Sequence, residues 1–154
     1  MSGLDRVKNY LNERGIEAKI VVLESSTKTS KLAAEALGCT IAQIAKSIVF
    51  KGSKAIVIVI SGDKKVDVKR LSTAVGEKIE LADPEYIRVS TGYEVGGVPP
   101  FPHTSDVKVY LDMSLFRWDV VWTSAGAPNA VMKIKVKDLE ENINGAIIDV
   151  AENK

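Results

Sequence analysis

The chain has 154 residues, 45% of them hydrophobic, and 21 Lys plus Arg against 20 Asp plus Glu give a net charge of +1. That is enough for one domain with a real core, and the near-zero charge excludes a global field for nucleic acid or membranes, so any polyanion contact has to be local. One cysteine, Cys39, excludes an internal disulfide framework and, with one histidine, the usual closed zinc site; a reducing cytoplasm fits this usage.

The charged N-terminus MSGLDRVKNYLNERG lacks the apolar stretch of a signal peptide or anchor. Within it Leu4, Val7 and Leu11 recur at helical spacing, and Gly15 stands where a helix stops. Ala18 to Leu23 reads as a strand that runs into the polar turn Glu24 to Ser30. Thr29 or Ser30 then caps a helix through LAAEAL, closed by Gly38. Thr40 caps a short turn, IAQIAK, leading into SIVF, which pairs across Gly52 and Ser53 with AIVIVI. AIVIVI is strand-sized, and no apolar run approaches the length of a membrane span.

SGDKKVD ends the second of these strands, and Asp67 caps a helix VKRLSTAV that stops at Gly76. KIEL is a short apolar bridge. Asp83-Pro84 starts a helix over ADPEYIRV, because an acidic cap followed by proline suits the first turn. After a glycine-proline loop, VKVYLD reads as a half-buried strand, MSLFRW as a turn, DVVWTS as a strand and SAGAPNA as a second glycine-proline turn. AVMKIKV alternates with its lysines on one face, and Asp138 starts a short charged helix before AIIDV. Strands outnumber helices and are mostly joined by turns, so the expected fold is α+β, a mixed, curved, barrel-like sheet with flanking helices in a single domain, 1-154. No G-x-G-x-x-G follows the first strand and the P-loop signature is absent, which excludes the common dinucleotide and triphosphate folds.

The loop between these halves, Thr91 to His103, reads TGYEVGGVPPFPH. Glycines let its backbone approach a ligand and prolines lower the entropy of ordering it, so it is stiff. Free N–H groups on such a loop can hold a carbonyl or an anion; a rigid surface turn is the alternative.

The ordered set IAKSIVFKG, SGD with KKVD, TGYEVGGVPPFPH, VYLD and TSAG, spanning roughly residues 25 to 138, resembles the YbaK/ProX family of aminoacyl-tRNA deacylases. The resemblance implies hydrolysis of the ester joining a wrong amino acid to the terminal ribose of tRNA, in the cytoplasm, with no cofactor or metal. It implies that Lys46 holds the phosphate of the terminal adenosine, a task that suits a compact, mobile point charge. It also implies that backbone groups of Gly96, Gly97 and Val98, in a motif closed by Pro100, hold the aminoacyl carbonyl and the attacking water. Gly62, Asp63 and Gly126 are implied to line the pocket. Asp63 could accept from a ribose hydroxyl or the substrate's amino group, or bond its own turn. Asp112 could likewise accept a hydrogen bond from the substrate, or brace the adjacent loop. His103 could touch substrate or brace the loop, and Pro102 stands where the family usually has glycine. A Cys39–His103 dyad needs a coincidence of fold. Lys64, Lys65, Lys69 and Arg70, with Lys51 and Lys54, are either a tRNA acceptor-stem contact or a solvated face. The implied partner is the aminoacyl end of tRNA, with a synthetase as a further one. The edited residue is a small amino acid, on prolyl tRNA among other options. The rival reading is a non-catalytic module that binds a tRNA end beside a synthetase, and a weaker one is a small-molecule hydrolase or nucleotide binder.

Overall fold

Polar caps set where the helices begin in the computed structural model, which describes residues 1–24, 29–104 and 106–154. Ser2 and Asp5 form a capping box for α1 (Gly3–Arg14), Thr29 caps α2 (Ser30–Leu37), Asp67 caps α3 (Val68–Val75) and Asp83 caps α4 (Pro84–Thr91). Each of these ends at a glycine with positive φ, namely Gly15, Gly38, Gly76 and Gly92. The expected polar turn from Glu24 to Ser30 falls partly on residues 25–28, outside the described residues. No helix among the described residues is long and apolar enough to cross a membrane.

The strands are β1 (Ala18–Val22), β2 (Ile44–Lys51), β3 (Ala55–Ser61), β4 (Lys64–Val66), β5 (Glu80–Leu81), β6 (Lys108–Asp112), β7 (Val120–Ala127), β8 (Ala130–Lys135), β9 (Ile147–Ile148) and β10 (Ala151–Asn153). A last helix, α5 (Val136–Asn142), lies between β8 and β9. The fold is α+β around a mixed eight-stranded sheet, ordered β1-β8-β7-β2-β3-β6-β9, with β5 on β2. Pairs β2–β7, β3–β6 and β6–β9 are parallel and the others antiparallel. The path is open, since β1 and β9 do not pair with each other.

Strand β3 is buried along its whole length, which explains its unbroken apolar run. Its alternate residues feed two cores. Val57 and Val59 join Leu11, Ile87, Leu111 and Leu139 on one face, while Ile56, Ile58 and Ile60 meet Leu71 and Val150 on the other. Tyr93, Val98 and Phe101 of the glycine-proline loop are buried in the first core, so apolar anchors as well as prolines hold that loop.

Four local expectations change. IAQIAK is a 3-10 turn only over Ile41–Gln43; Ile44 already pairs with β7 and Ala45 with both β7 and β3, so Lys46 lies inside β2. SAGAPNA is mostly strand: β7 runs to Ala127, absorbing an irregularity between Ser124 and Ala127, and only Pro128 and Asn129 turn. The last helix starts at Val136, two residues before Asp138. Finally, KKV and AEN form a separate two-stranded ribbon, β4–β10, in which Asn153 pairs with Lys64.

Candidate functional site

The site arises from a splay in the sheet. Strands β2 and β7 pair only at Ile44–Trp122 and Ala45–Thr123, and β2 takes up β5 again only at Phe50 and Lys51. Between these points Lys46, Ser47 and Ile48 pair with β3 alone. A cavity of about 340 Å³ opens there, lined by these three residues, by Thr29 and Ser30 at the start of α2, and by Trp122, Thr123 and Ser124 of β7. Val95, Gly96 and Val98 of the loop form another wall, and Ala33, Ala45, Val131 and Lys154 also line it.

Three of the expected site residues, Lys46, Gly96 and Val98, therefore share one cavity. Lys46 is half-buried, and its Nζ donates to the Lys64 carbonyl at 2.5 Å. Burial, then the neighbouring Lys154 ammonium, push its pKa down to about 8, against a smaller opposing pull from Asp63. Gly96 has φ 84°, a conformation open to glycine, and is the third residue of a tight turn in which the Gly97 N–H donates to the Glu94 carbonyl at 2.9 Å. The Gly97 donor is thus committed to the loop. Among the described residues the N–H groups of Gly96 and Val98 have no acceptor. Gly97 is buried, and a Cβ there would sit 2.9 Å from the Ala127 carbonyl carbon, so this glycine lets the loop lie on the β7–β8 turn.

The other expected site residues lie outside this cavity. Asp63 is held by both terminal nitrogens of Arg117, at 2.8 and 3.1 Å, and this partner keeps its carboxyl below the usual range. Gly62 is a close-packing point: a Cβ would stand 2.5 Å from the Ile41 carbonyl oxygen and 2.6 Å from the Ser30 Cβ, so the β3–β4 turn supports a residue that lines the cavity. Gly126, with φ 101°, is where β7 crosses the start of α1; its Cβ would stand 2.5 Å from the Gly3 carbonyl oxygen. Pro100 and His103 line a different cavity of about 230 Å³, with Tyr10, Asn142 and Asn144. His103 Nε2–H donates to the Pro99 carbonyl at 3.0 Å, the ring meets Tyr93 edge-on at 5.9 Å, and burial pushes its pKa down to about 4. It braces the loop as a neutral imidazole. Cys39 packs beside Ala33, Ala34 and Ile44, and burial raises its thiol pKa, the opposite of an activated nucleophile.

Asp112 does not brace the loop. Fully buried, it accepts from Val150 N–H through Oδ1 at 2.9 Å and from Ser114 N–H through Oδ2 at 2.8 Å, tying β6 to the C-terminal segment. Asp112→Ala leaves both donors unpaired and is expected to destabilise the fold by about 2–4 kcal/mol. Thermal unfolding checks the loss, and activity below the lowered Tm should be little changed.

Three members of the expected basic face, Lys54, Lys65 and Arg70, pair with carboxylates. Lys65 pairs with Glu152 at 3.2 Å, Arg70 with Asp149 at 3.0 Å and Lys54 with Asp106, while Lys64 donates to Asn153 Oδ1 at 2.6 Å and Lys51 lies over the Tyr86 ring. The residues missed by sequence reasoning are Ser47, whose buried hydroxyl has no partner among the described residues, Trp122, the start of α2, and Lys154. Only Ser47 carried a signal, its place beside Lys46.

Residues 24–141 match the aminoacyl-tRNA editing domain. The uncharacterised protein YwhH of Bacillus subtilis is 35% identical over 140 residues, 90% of this chain and 89% of that protein. EbsC of Enterococcus faecalis, named for a proposed Cys-tRNA(Pro)/Cys-tRNA(Cys) deacylase activity, is 28% identical over 76% of this chain and 73% of its own length. A crystal structure of a proposed trans-editing enzyme for prolyl tRNA synthetase superposes with a TM-score of 0.91 at 35% identity, covering 99% of both chains.

Proposed function

The chain belongs to the aminoacyl-tRNA editing domain family, and we propose that it is a trans-acting deacylase that hydrolyses the ester of tRNA mischarged with a small amino acid. The observation that carries this reading is that one cavity is lined by Lys46 and by Gly96 and Val98, whose N–H groups have no acceptor among the described residues. Lys46 would hold the phosphate of the terminal adenosine, which sets the aminoacyl carbonyl against the loop. Water attacks the carbonyl carbon, and the developing oxyanion meets the fixed N–H donors of Gly96 and Val98, which need no reorganisation. Collapse breaks the ester bond, the ribose oxygen takes a proton, and free amino acid and uncharged tRNA leave. The vicinal ribose hydroxyl orients the water, since His103 points into the loop and Asp63 is bound by Arg117. The unpaired Ser47 hydroxyl offers the substrate a further hydrogen bond. Ala33, Ala45 and Val131 leave room for a small side chain.

The test is deacylation of a panel of tRNAs carrying alanine, serine or cysteine, including prolyl tRNA species and one ending in 2′-deoxyadenosine. Hydrolysis of a mischarged prolyl tRNA, with the deoxy substrate cut far more slowly, is expected. No turnover across the panel, with tRNA-end binding retained, would leave a binding module instead.

The charge on Lys46 predicts the pH profile. Phosphate binding needs the ammonium, which is present below about pH 8 and lost above it. Enzymatic rates, corrected for spontaneous hydrolysis, should fall as pH rises through about 8. No inflection should appear near pH 6.5, because His103 stays neutral down to about pH 4.

A further inference from the structure

The ribbon β4–β10 carries the end of the sequence to the cavity. Its register, Ala151–Val66, Glu152–Lys65 and Asn153–Lys64, is reinforced by the Lys65–Glu152 ion pair and the Lys64–Asn153 hydrogen bond. Residue 154 follows directly on Asn153, the partner of Lys64, whose carbonyl accepts from Lys46 Nζ. Both Lys46 and Lys154 line the same cavity. Two ammonium groups brought together repel, and the partly buried setting weakens the screening by water. The carboxylate that acts on Lys46, Asp63, is already bound in bidentate fashion by Arg117. Among the described residues lining the cavity, Lys46 and Lys154 are the two with charged side chains, and both are cations.

We propose that Lys154 is a second phosphate-binding residue, and that it and Lys46 hold one phosphate group together. This rests on the reading above, in which the cavity takes the terminal nucleotide of tRNA, and it adds a residue from the opposite end of the sequence to that anchor. A shared phosphate turns the repulsion between the two ammonium groups into a favourable arrangement, so the site selects an anion over a neutral ligand. It also makes the ribbon part of the binding apparatus, because the pairing of residues 151–153 is what positions the second charge.

The probes are adenosine 5′-monophosphate and adenosine, titrated by NMR into the wild type, Lys154→Ala and Lys154→Arg. The monophosphate should bind the wild type more tightly than adenosine does. Lys154→Ala should lose about three- to tenfold of the monophosphate affinity and none of the adenosine affinity, and Lys154→Arg should restore it. In deacylation, Lys154→Ala should raise KM by a similar factor and leave kcat unchanged. Its alkaline limb should move to higher pH, since Lys46 then faces only Asp63, held by Arg117, and Lys64, held by Asn153. Monophosphate affinity that is unchanged in Lys154→Ala, unrescued by arginine, or no better than adenosine in the wild type would overturn the proposal. The two readings separate cleanly. Lysine-dependent monophosphate binding without hydrolysis of any mischarged tRNA leaves the two-lysine site standing and removes the deacylase, whereas hydrolysis with Lys154-independent binding removes only the second lysine.

Discussion

Lys46→Ala is expected to lower kcat/KM for a mischarged tRNA by about 100-fold, close to 3 kcal/mol of transition-state stabilisation, while the fold survives. The ammonium is half-buried at the edge of the cavity and is oriented by the Lys64 carbonyl. In the proposed mechanism, losing it would remove the charge that registers the terminal nucleotide, so the carbonyl would no longer sit against Gly96 and Val98, and misplacement of the reacting group would lower kcat as well as binding. The effect on stability is small, about 1 kcal/mol or less, because the lost hydrogen bond is partly offset by relief of repulsion with Lys154. Single-turnover deacylation together with a thermal melt checks both halves. A kcat/KM within a few fold of wild type would remove Lys46 from the site.

The second large effect belongs to a residue that offers no chemistry. Gly97→Ala places a methyl group 2.9 Å from the Ala127 carbonyl carbon and 3.0 Å from both the Ala127 Cα and the Pro128 nitrogen. All three are backbone atoms, and the β7–β8 hairpin cannot yield as a flexible side chain would. The loop has to lift. Overpacking of this kind costs about 1–3 kcal/mol of stability, but the larger consequence is displacement of the neighbouring donors on Gly96 and Val98. A shift of about 1 Å at such donors is enough for a loss of roughly 100-fold in kcat. The expected signature is a kcat that falls far more than Tm does, with affinity for adenosine 5′-monophosphate largely kept, because Lys46 stays in place. An unchanged kcat would show that the loop does not serve the reaction.

These two residues also mark how far the sequence is legible. Caps and stops are local chemistry, so Thr29, Asp67 and Asp83 announced their helices and Gly38, Gly76 and Gly92 their ends. The alternation in AVMKIKV gave β8 with Lys133 and Lys135 exposed. The ordered motifs pointed to the loop and to Lys46, and the structure brings them together. What stayed hidden depends on which distant residues become neighbours. Asp63 found Arg117, Asp112 found Val150 N–H, and no spacing in the chain forecasts either pairing. The ribbon β4–β10 was invisible because three-residue strands carry no periodicity. His103, conspicuous as the lone histidine, turns inward to the Pro99 carbonyl, a direction set by the buried packing of the loop and not by residue type.

The splay between β2 and β7 has a consequence for the order in which the molecule acquires its properties. Its two pairs, Ile44–Trp122 and Ala45–Thr123, close a long loop of chain, and parallel contacts between such distant residues form slowly because closure entropy is lost before they reward it. The helices and the β2–β3 hairpin need only local sequence. The cavity needs α2, β2, the glycine-proline loop, β7 and the end of β10 at once. The assembled cavity is therefore the last thing the folding chain gains, and an incomplete chain with most of its helices formed would hold no such cavity.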